Sequence, residues 1–165
     1  MKLLLAILLL LAFCSAETIS TPETDIVGDP VDFLRGLLDG LGVKEDIEKL
    51  KKCLKDVEKL IDELKIALQY LKKMDPADLK KGLELMFSAL MEFLTNMKAC
   101  ADSGSVIYKL IHLITNANIL SIVTHILMHP VAFVADIEQA IAGFARGDLY
   151  TAGKSIGDML RIIFL

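Results

Sequence analysis

The sequence predicts an all-α protein, a bundle of six to seven helices that contains a long amphipathic helical hairpin tied by one disulfide. Three observations support this prediction. Apolar side chains recur at spacings of three and four residues. Asp-Pro pairs and glycines stand where these periodic segments begin and end. Two cysteines lie at similar distances from the turn between two of the segments.

The first sixteen residues have the composition of a secretory signal peptide. Lys2 precedes an apolar run over residues 3–13, and Ala16 supplies the small residue at which such peptides are cleaved. The run is too short to span a bilayer core, which takes about 20 helical residues. We therefore expect removal of residues 1–16 and a protein that is secreted, either to the extracellular space or into the lumen of the secretory pathway.

The rest of the chain divides into a leader and a domain. Residues 17–28 are rich in threonine and acidic residues and show no apolar periodicity, which predicts a disordered leader. We expect residues 29–165 to form a single α-helical domain. Asp29 can cap a first helix, and Pro30 suits the first helical position because its missing N–H would be unsatisfied there. That helix is predicted to end at Gly42.

Residues 43–74 show the clearest amphipathic pattern. Nine apolar residues alternate at spacings of four and three, with Lys and Glu at most positions between them, which predicts one long helix with a solvated outer face. A free-standing coiled coil is the alternative, but further apolar helices follow at once and favour packing within one bundle. The nine are Val43, Ile47, Leu50, Leu54, Val57, Ile61, Leu64, Leu68 and Leu71.

A second helix is predicted over residues 77–101, after the turn at Asp75-Pro76. Cys53 and Cys100 lie roughly 22 to 24 residues from this turn, so an antiparallel hairpin brings them level. In an oxidising compartment this favours a disulfide between them over two buried free thiols.

Residues 110–135 contain no formally charged side chain, which raises the alternative of a membrane span. Asn116, Asn118 and Pro130 interrupt the run, and unpaired polar groups are costly inside hydrocarbon. We therefore expect short helices buried inside the bundle, with the Lys/Glu helix outside. The predicted helices are 106–115, 119–129, 131–145 and 149–164.

Arg146-Gly147-Asp148 is the tripeptide that many adhesion ligands present to integrins. Gly147 stands where a helix should end and Asp148 where the next should be capped. An integrin needs this carboxylate free to bind a metal ion, so we expect a structural role and no adhesion. Gly153-Lys154-Ser155 resembles the end of a phosphate-binding loop but lacks the required upstream glycine and strand.

Two glycine pairs have helical spacing. Gly36 and Gly40 lie in the first helix, and Gly153 and Gly157 lie in the last. Each pair gives a flat surface on which another backbone can pack. Either the two terminal helices cross there, or each pair merely tolerates a bulky neighbour.

No catalytic, cofactor or metal site is predicted. His125 and His129 share a helix face, but no carboxylate or cysteine lies nearby in sequence to complete four ligands. The Asp and Glu side chains within residues 43–74 alternate with lysines, as on the solvent-exposed face of a helix. We expect that the protein is not an enzyme.

The glycine-bearing "DFLRGLLDGLG", the two cysteines and "HPVAFVADIEQAIAGFARGDLYTAGKSIGDML" together resemble small secreted all-helical proteins of ciliates and other protists. No activity is assigned to such proteins, so the resemblance implies a secreted helical fold and no functional residue.

The sequence therefore favours a secreted, non-enzymatic interaction protein or a module that binds an apolar, lipid-like ligand. The methionines Met86, Met91, Met97 and Met128 are candidates for an adaptable lining. The alternative is a membrane-active protein that inserts residues 106–135 into bilayers, although membrane association is not favoured. Removal of Lys2 with the signal peptide leaves 17 basic and 22 acidic residues and lowers the net charge from −4 to −5, which argues against nucleic acid as a partner.

Overall fold

The computed structural model describes residues 28–165, so the predicted signal peptide and nearly all of the predicted leader lie outside the described residues. Within this range the protein is all-α, as predicted, with eight α-helices and two short 3₁₀ turns, Lys51–Cys53 and Lys98–Cys100. The helices are α1 (Pro30–Leu41), α2 (Ile47–Leu50), α3 (Val57–Leu71), α4 (Pro76–Met97), α5 (Val106–Thr115), α6 (Ile119–Met128), α7 (Pro130–Arg146) and α8 (Leu149–Phe164).

The helix ends carry the predicted caps. The Asp29 carboxylate accepts a hydrogen bond from the Val31 amide at 2.9 Å, and the Asp75 carboxylate accepts one from the Ala77 amide at 3.2 Å. Both acids precede a proline at the first helical position. Gly42 ends α1 with φ of 73°, a left-handed conformation that glycine adopts without a steric penalty.

Helices α3 and α4 form the antiparallel hairpin, while α8 packs along both α1 and α7. Phe33 of α1 is fully buried where these layers meet. Its ring lies 6.3 Å from the Phe93 ring of α4, edge to face, and 6.3 Å from the Phe144 ring of α7, stacked. The core is thus continuous from the hairpin to the terminal helices.

The disulfide joins Cys53 to Cys100, with 5.9 Å between their Cα atoms. Each cysteine is the last residue of a 3₁₀ turn, one before α3 and one after α4. The bond closes the open end of the α3–α4 hairpin, as the sequence predicted.

The prediction of one continuous helix over residues 43–74 is wrong. The helical path is broken between Leu54, which is extended, and Asp56, which has φ of 55°. Asp is among the few residues other than glycine that tolerate this left-handed conformation. The break raises the number of helices from the expected six or seven to eight.

Contacts with a distant part of the chain accompany this break. The Glu45 carboxylate accepts a hydrogen bond from the Val106 amide at 2.7 Å, at the start of α5. Lys49 pairs with Asp102 at 2.6 Å just before that helix. The segment that contains α2 thus packs against the N-terminal end of α5 and does not extend α3.

The prediction that the apolar helices are buried is also wrong for one face of α6. Leu120 and Met128 are 68% and 69% exposed, although Ile126 of the same helix is fully buried. Among the described residues no single helix is long and apolar enough to cross a membrane. Helices α5 and α6 reach that length and composition only as a pair, and they are bent by 100°.

Candidate functional site

The four predicted packing glycines meet at the crossing of α1 and α8. A Cβ atom on Gly36 would overlap the Tyr150 carbonyl oxygen, and one on Gly153 would overlap the Phe33 carbonyl oxygen. Gly40 and Gly157 face each other four residues further along both helices. The two helices therefore run in the same direction in close contact, and their C-terminal ends lie side by side.

An apolar cavity of about 230 Å³ lies where these two ends meet α5. It is partly open to solvent. Leu41, Leu110 and Leu160 are buried residues of the lining, and Lys109 is exposed at its edge. The remaining lining residues are Val43, Val106, Leu113, Phe164 and Leu165. Eight of these nine residues are hydrocarbon in character, so the cavity suits an apolar molecule.

The segment just before α2 contacts the first residue of α5 at one wall of the cavity. Val106 lines it, and its amide is held by the Glu45 carboxylate. The neighbouring Ser105 hydroxyl is buried and has no hydrogen-bond partner in the described part of the chain. The hydrogen bond from the Val106 amide to Glu45 therefore ties the start of α5 to the segment before α2 at this wall of the cavity.

The predicted methionine lining is not gathered at one place. Met86 and Met97 are fully buried in the core, Met91 is half-buried, and Met128 is 69% exposed on α6. The nine cavity residues given above are aliphatic or aromatic apart from Lys109.

A wider groove of about 570 Å³ lies beside the start of α1 and the start of α3. Charged residues of both signs line much of it, and it is shallower and more open than the apolar cavity. Those charged residues are Asp29, Lys51, Asp56, Glu58 and Lys59. The groove mixes charges of both signs with apolar surface and is more open to solvent, so it is the weaker candidate.

The Arg146-Gly147-Asp148 tripeptide has the expected helix-end geometry. Gly147 ends α7 with φ of 70°. The Asp148 carboxylate accepts hydrogen bonds from the Thr151 hydroxyl at 2.6 Å and from the Thr151 amide at 3.0 Å. These bonds, the hydroxyl first, lower the pKa of Asp148. The carboxylate that an integrin would need is thus engaged as the cap of α8.

His125 and His129 lie at the C-terminal end of α6, with their ring centres 5.2 Å apart. Both side chains are exposed. Within residues 28–165, no three His, Cys, Asp or Glu side chains are grouped closely enough to hold a metal ion.

Comparison with known protein families gives one match. The SctB-like family, described as Secreted protein B-like, matches residues 14–165. The chain belongs to this family. No curated protein and no solved structure matches the chain. Membership in the SctB-like family supports the prediction that the protein is secreted. It does not support the resemblance to proteins of ciliates or other protists.

One electrostatic feature of this SctB-like chain was not visible in the sequence. Asp136 of α7 is half-buried against α8, and burial raises its pKa to about 6. The nearby Asp158 carboxylate raises it further, while Lys154 and Arg161 oppose the shift. Asp158 itself accepts hydrogen bonds from Lys154 at 2.8 Å and from Arg161 at 3.2 Å. These basic groups are therefore already engaged by the second carboxylate.

Proposed function

We propose that this SctB-like protein is a secreted, non-enzymatic protein that binds an apolar, lipid-like ligand in the cavity between α1, α5 and α8. The observation that carries the proposal is the lining of that cavity, which is apolar except for Lys109 at its edge. Ligand sites are commonly concave and apolar, with a few polar groups that orient the ligand. The cavity has this composition.

The volume limits the size of the ligand. About 230 Å³ exceeds the roughly 150 Å³ of an apolar cavity that stays dry and binds benzene in another protein. It is below the ~300 to 1,000 Å³ of sites that enclose drug-sized molecules. A short acyl chain, or the end of a longer one that leaves through the opening, fits these limits.

Lys109 is the one charged side chain among the nine lining residues. Because Lys109 is both exposed and part of the lining, its ammonium group is within reach of the head of an amphipathic ligand that leaves the cavity. An ammonium group binds a carboxylate as a compact point charge. A fatty acid is therefore the ligand class that matches both the apolar lining and this lysine.

The alternative function, insertion of residues 106–135 into a bilayer, is less well supported. Ile107, Ile126 and Phe133 from this segment are fully buried in the core. Insertion of the whole segment would require these side chains to leave the core. Protein partners remain compatible with the cavity, whereas the acidic net charge argues against nucleic acid.

Displacement of a fluorescent fatty acid from the secreted protein tests the proposal. Leu113 lines the cavity and is half-buried, so Leu113→Trp should fill the space and weaken binding by about tenfold or more. Lys109→Met should weaken binding of the fatty acid but leave binding of an uncharged fatty alcohol unchanged. The second comparison separates the role of the charge from that of the apolar lining.

Ile66→Trp is the matched control, because Ile66 is 54% exposed on α3 and is not among the lining residues. It should leave binding unchanged. The proposal fails if the unmodified protein binds neither probe, or if Leu113→Trp binds both as tightly as the unmodified protein does.

A further inference from the structure

We infer that this protein docks on the surface of zwitterionic membranes through an uncharged corner formed by α6 and the first turn of α7. Four large apolar side chains make up this α6–α7 corner: Leu120, Leu127, Met128 and Val131. They are 68, 41, 69 and 83% exposed, respectively. The docking surface is separate from the apolar cavity and does not require that the cavity hold a ligand.

Helical geometry places three of the four side chains on one face of α6. Leu120, Leu127 and Met128 occupy positions i, i+7 and i+8, which fall within an arc of about 100° on an α-helix. Val131 follows directly in the first turn of α7, after the break at His129. The opposite face of α6, which includes Ile126, packs into the core. The corner is thus the outward face of a helix that is firmly held on its other side.

The charge distribution favours a neutral membrane as the occupant. Residues 110–135 contain no Asp, Glu, Lys or Arg. The segment that forms the corner therefore places no formally charged side chain against the lipid headgroups. The polar neighbours Ser121 and Thr124 are exposed hydroxyl residues. The secreted chain that is expected after removal of residues 1–16 carries a net charge of −5, which an anionic membrane would repel. Phosphatidylcholine headgroups carry no net charge and match this surface.

The size of the corner argues against a second copy of the chain as the occupant. Four side chains at these exposures present on the order of 400 Å², about half of the ~800 Å² that each partner contributes to a standard protein interface. A membrane interface requires less, since apolar side chains need only enter ~5 to 10 Å into the boundary between headgroups and acyl chains.

Surface docking leaves the folded core intact, in contrast to insertion of residues 106–135. Ile126 and Phe133 stay buried. The helix breaks at Asn116, Asn118 and Pro130, which disfavour a span, do not have to enter hydrocarbon. We therefore expect docking without leakage of vesicle contents.

Sedimentation of the secreted protein with phosphatidylcholine vesicles tests the inference. The unmodified protein should bind, and raising the salt concentration from low to physiological should leave binding unchanged, because no ion pair is involved. Leu120→Asp together with Val131→Asp should lower the partition coefficient by about tenfold or more. Ile66→Asp is the matched control, since Ile66 is also a large apolar residue and is 54% exposed, on α3. Unlike the corner residues, it lies next to a charged residue, Lys65. It should bind like the unmodified protein.

Circular dichroism and displacement of the fluorescent fatty acid are measured on the same variants. The double variant should stay helical and keep its cavity binding, which separates failure of docking from failure of the proposed ligand function. Absence of vesicle binding by the unmodified protein would overturn the inference, as would an equal loss in Ile66→Asp. A dimer in analytical ultracentrifugation that the double variant abolishes, without vesicle binding, would assign the corner to a second copy and would also overturn it.

Discussion

Gly40 of α1 and Gly157 of α8 face each other so closely that neither position has room for a side chain. A Cβ atom on Gly40 would lie 2.9 Å from the Gly157 Cα, and one on Gly157 would lie 3.0 Å from the Gly40 Cα. The atoms in the way belong to backbone, which cannot rotate aside. The close approach of the two helices also places their C-terminal ends at the apolar cavity.

Gly157→Ala should therefore destabilise the protein. The added methyl group forces α1 and α8 apart, and overpacking of this kind costs about 1 to 3 kcal/mol. Gly104→Ala is the control, because a Cβ there meets no atom within 4 Å. It should change the free energy of unfolding by less than about 0.5 kcal/mol. Urea denaturation of both variants makes the comparison, and equal stability of the two would contradict the close packing.

Asp148→Ala should remove the cap of α8 and lower the free energy of unfolding by about 1 kcal/mol. The pKa of Asp148 is lowered in the folded protein, so the stabilisation is present above its ordinary pKa of about 3.9 and is lost as the pH falls through the lower folded value. Chemical denaturation at pH 7 and pH 3 measures this loss.

The adhesion role of the tripeptide is tested separately from its stability role. Arg146 is exposed, so Arg146→Ala serves as the matched variant with an intact cap. Neither substitution should change attachment of integrin-bearing cells to the protein. Attachment that disappears in both variants while they remain folded would show that the tripeptide is read as an adhesion signal.

Asp136→Asn should stabilise the protein at neutral pH. The folded pKa of about 6 is above the unfolded value, so the stability linked to this group is fully present below about pH 3.9 and is lost as the pH rises through about 6. The amide avoids that loss because it cannot ionise. Thermal unfolding should show a higher Tm for the variant at pH 7.5 and a difference near zero at pH 4. An equal difference at both pH values would contradict the shifted pKa.

Reduction of the Cys53–Cys100 disulfide should weaken the fold without removing its helices. The bond joins residues that are 47 apart in sequence, and loss of a loop of this size corresponds to about 4 kcal/mol in the chain-entropy description. Non-reducing peptide mapping should recover the two cysteines in one linked peptide, and urea denaturation with and without reductant should show the difference in stability. Two free thiols in the secreted protein would contradict the pairing.

Local signals in the sequence predicted the helix ends well. Helix starts are capped by Asp29 and Asp75, and helix ends are formed by the left-handed glycines Gly42 and Gly147. All four act through contacts with residues a few positions away. Such contacts do not depend on the rest of the fold. The helix ends at these four residues therefore lie where the sequence placed them.

The sequence could not predict features that depend on distant contacts. The apolar spacing continues through Leu54, and the break there lies a few residues after two distant contacts, in which the Val106 amide donates to Glu45 and the Lys49 ammonium donates to Asp102. On α6, Ser121, Thr124 and His125 share one exposed side of the helix. Leu120 and Met128 lie on that same side, so their apolar character gave the wrong prediction of burial. The cavity likewise arises from the meeting of three helices that are far apart in sequence, and no local pattern encodes the space between them.

Native mass spectrometry of the secreted protein, purified without detergent, tests the central claim most directly. We predict one apolar molecule bound per chain, released into organic solvent and absent from Leu113→Trp, while Ile66→Trp retains it. Unliganded protein in every preparation, or the same ligand in Leu113→Trp, would contradict the assignment of the cavity as a lipid site.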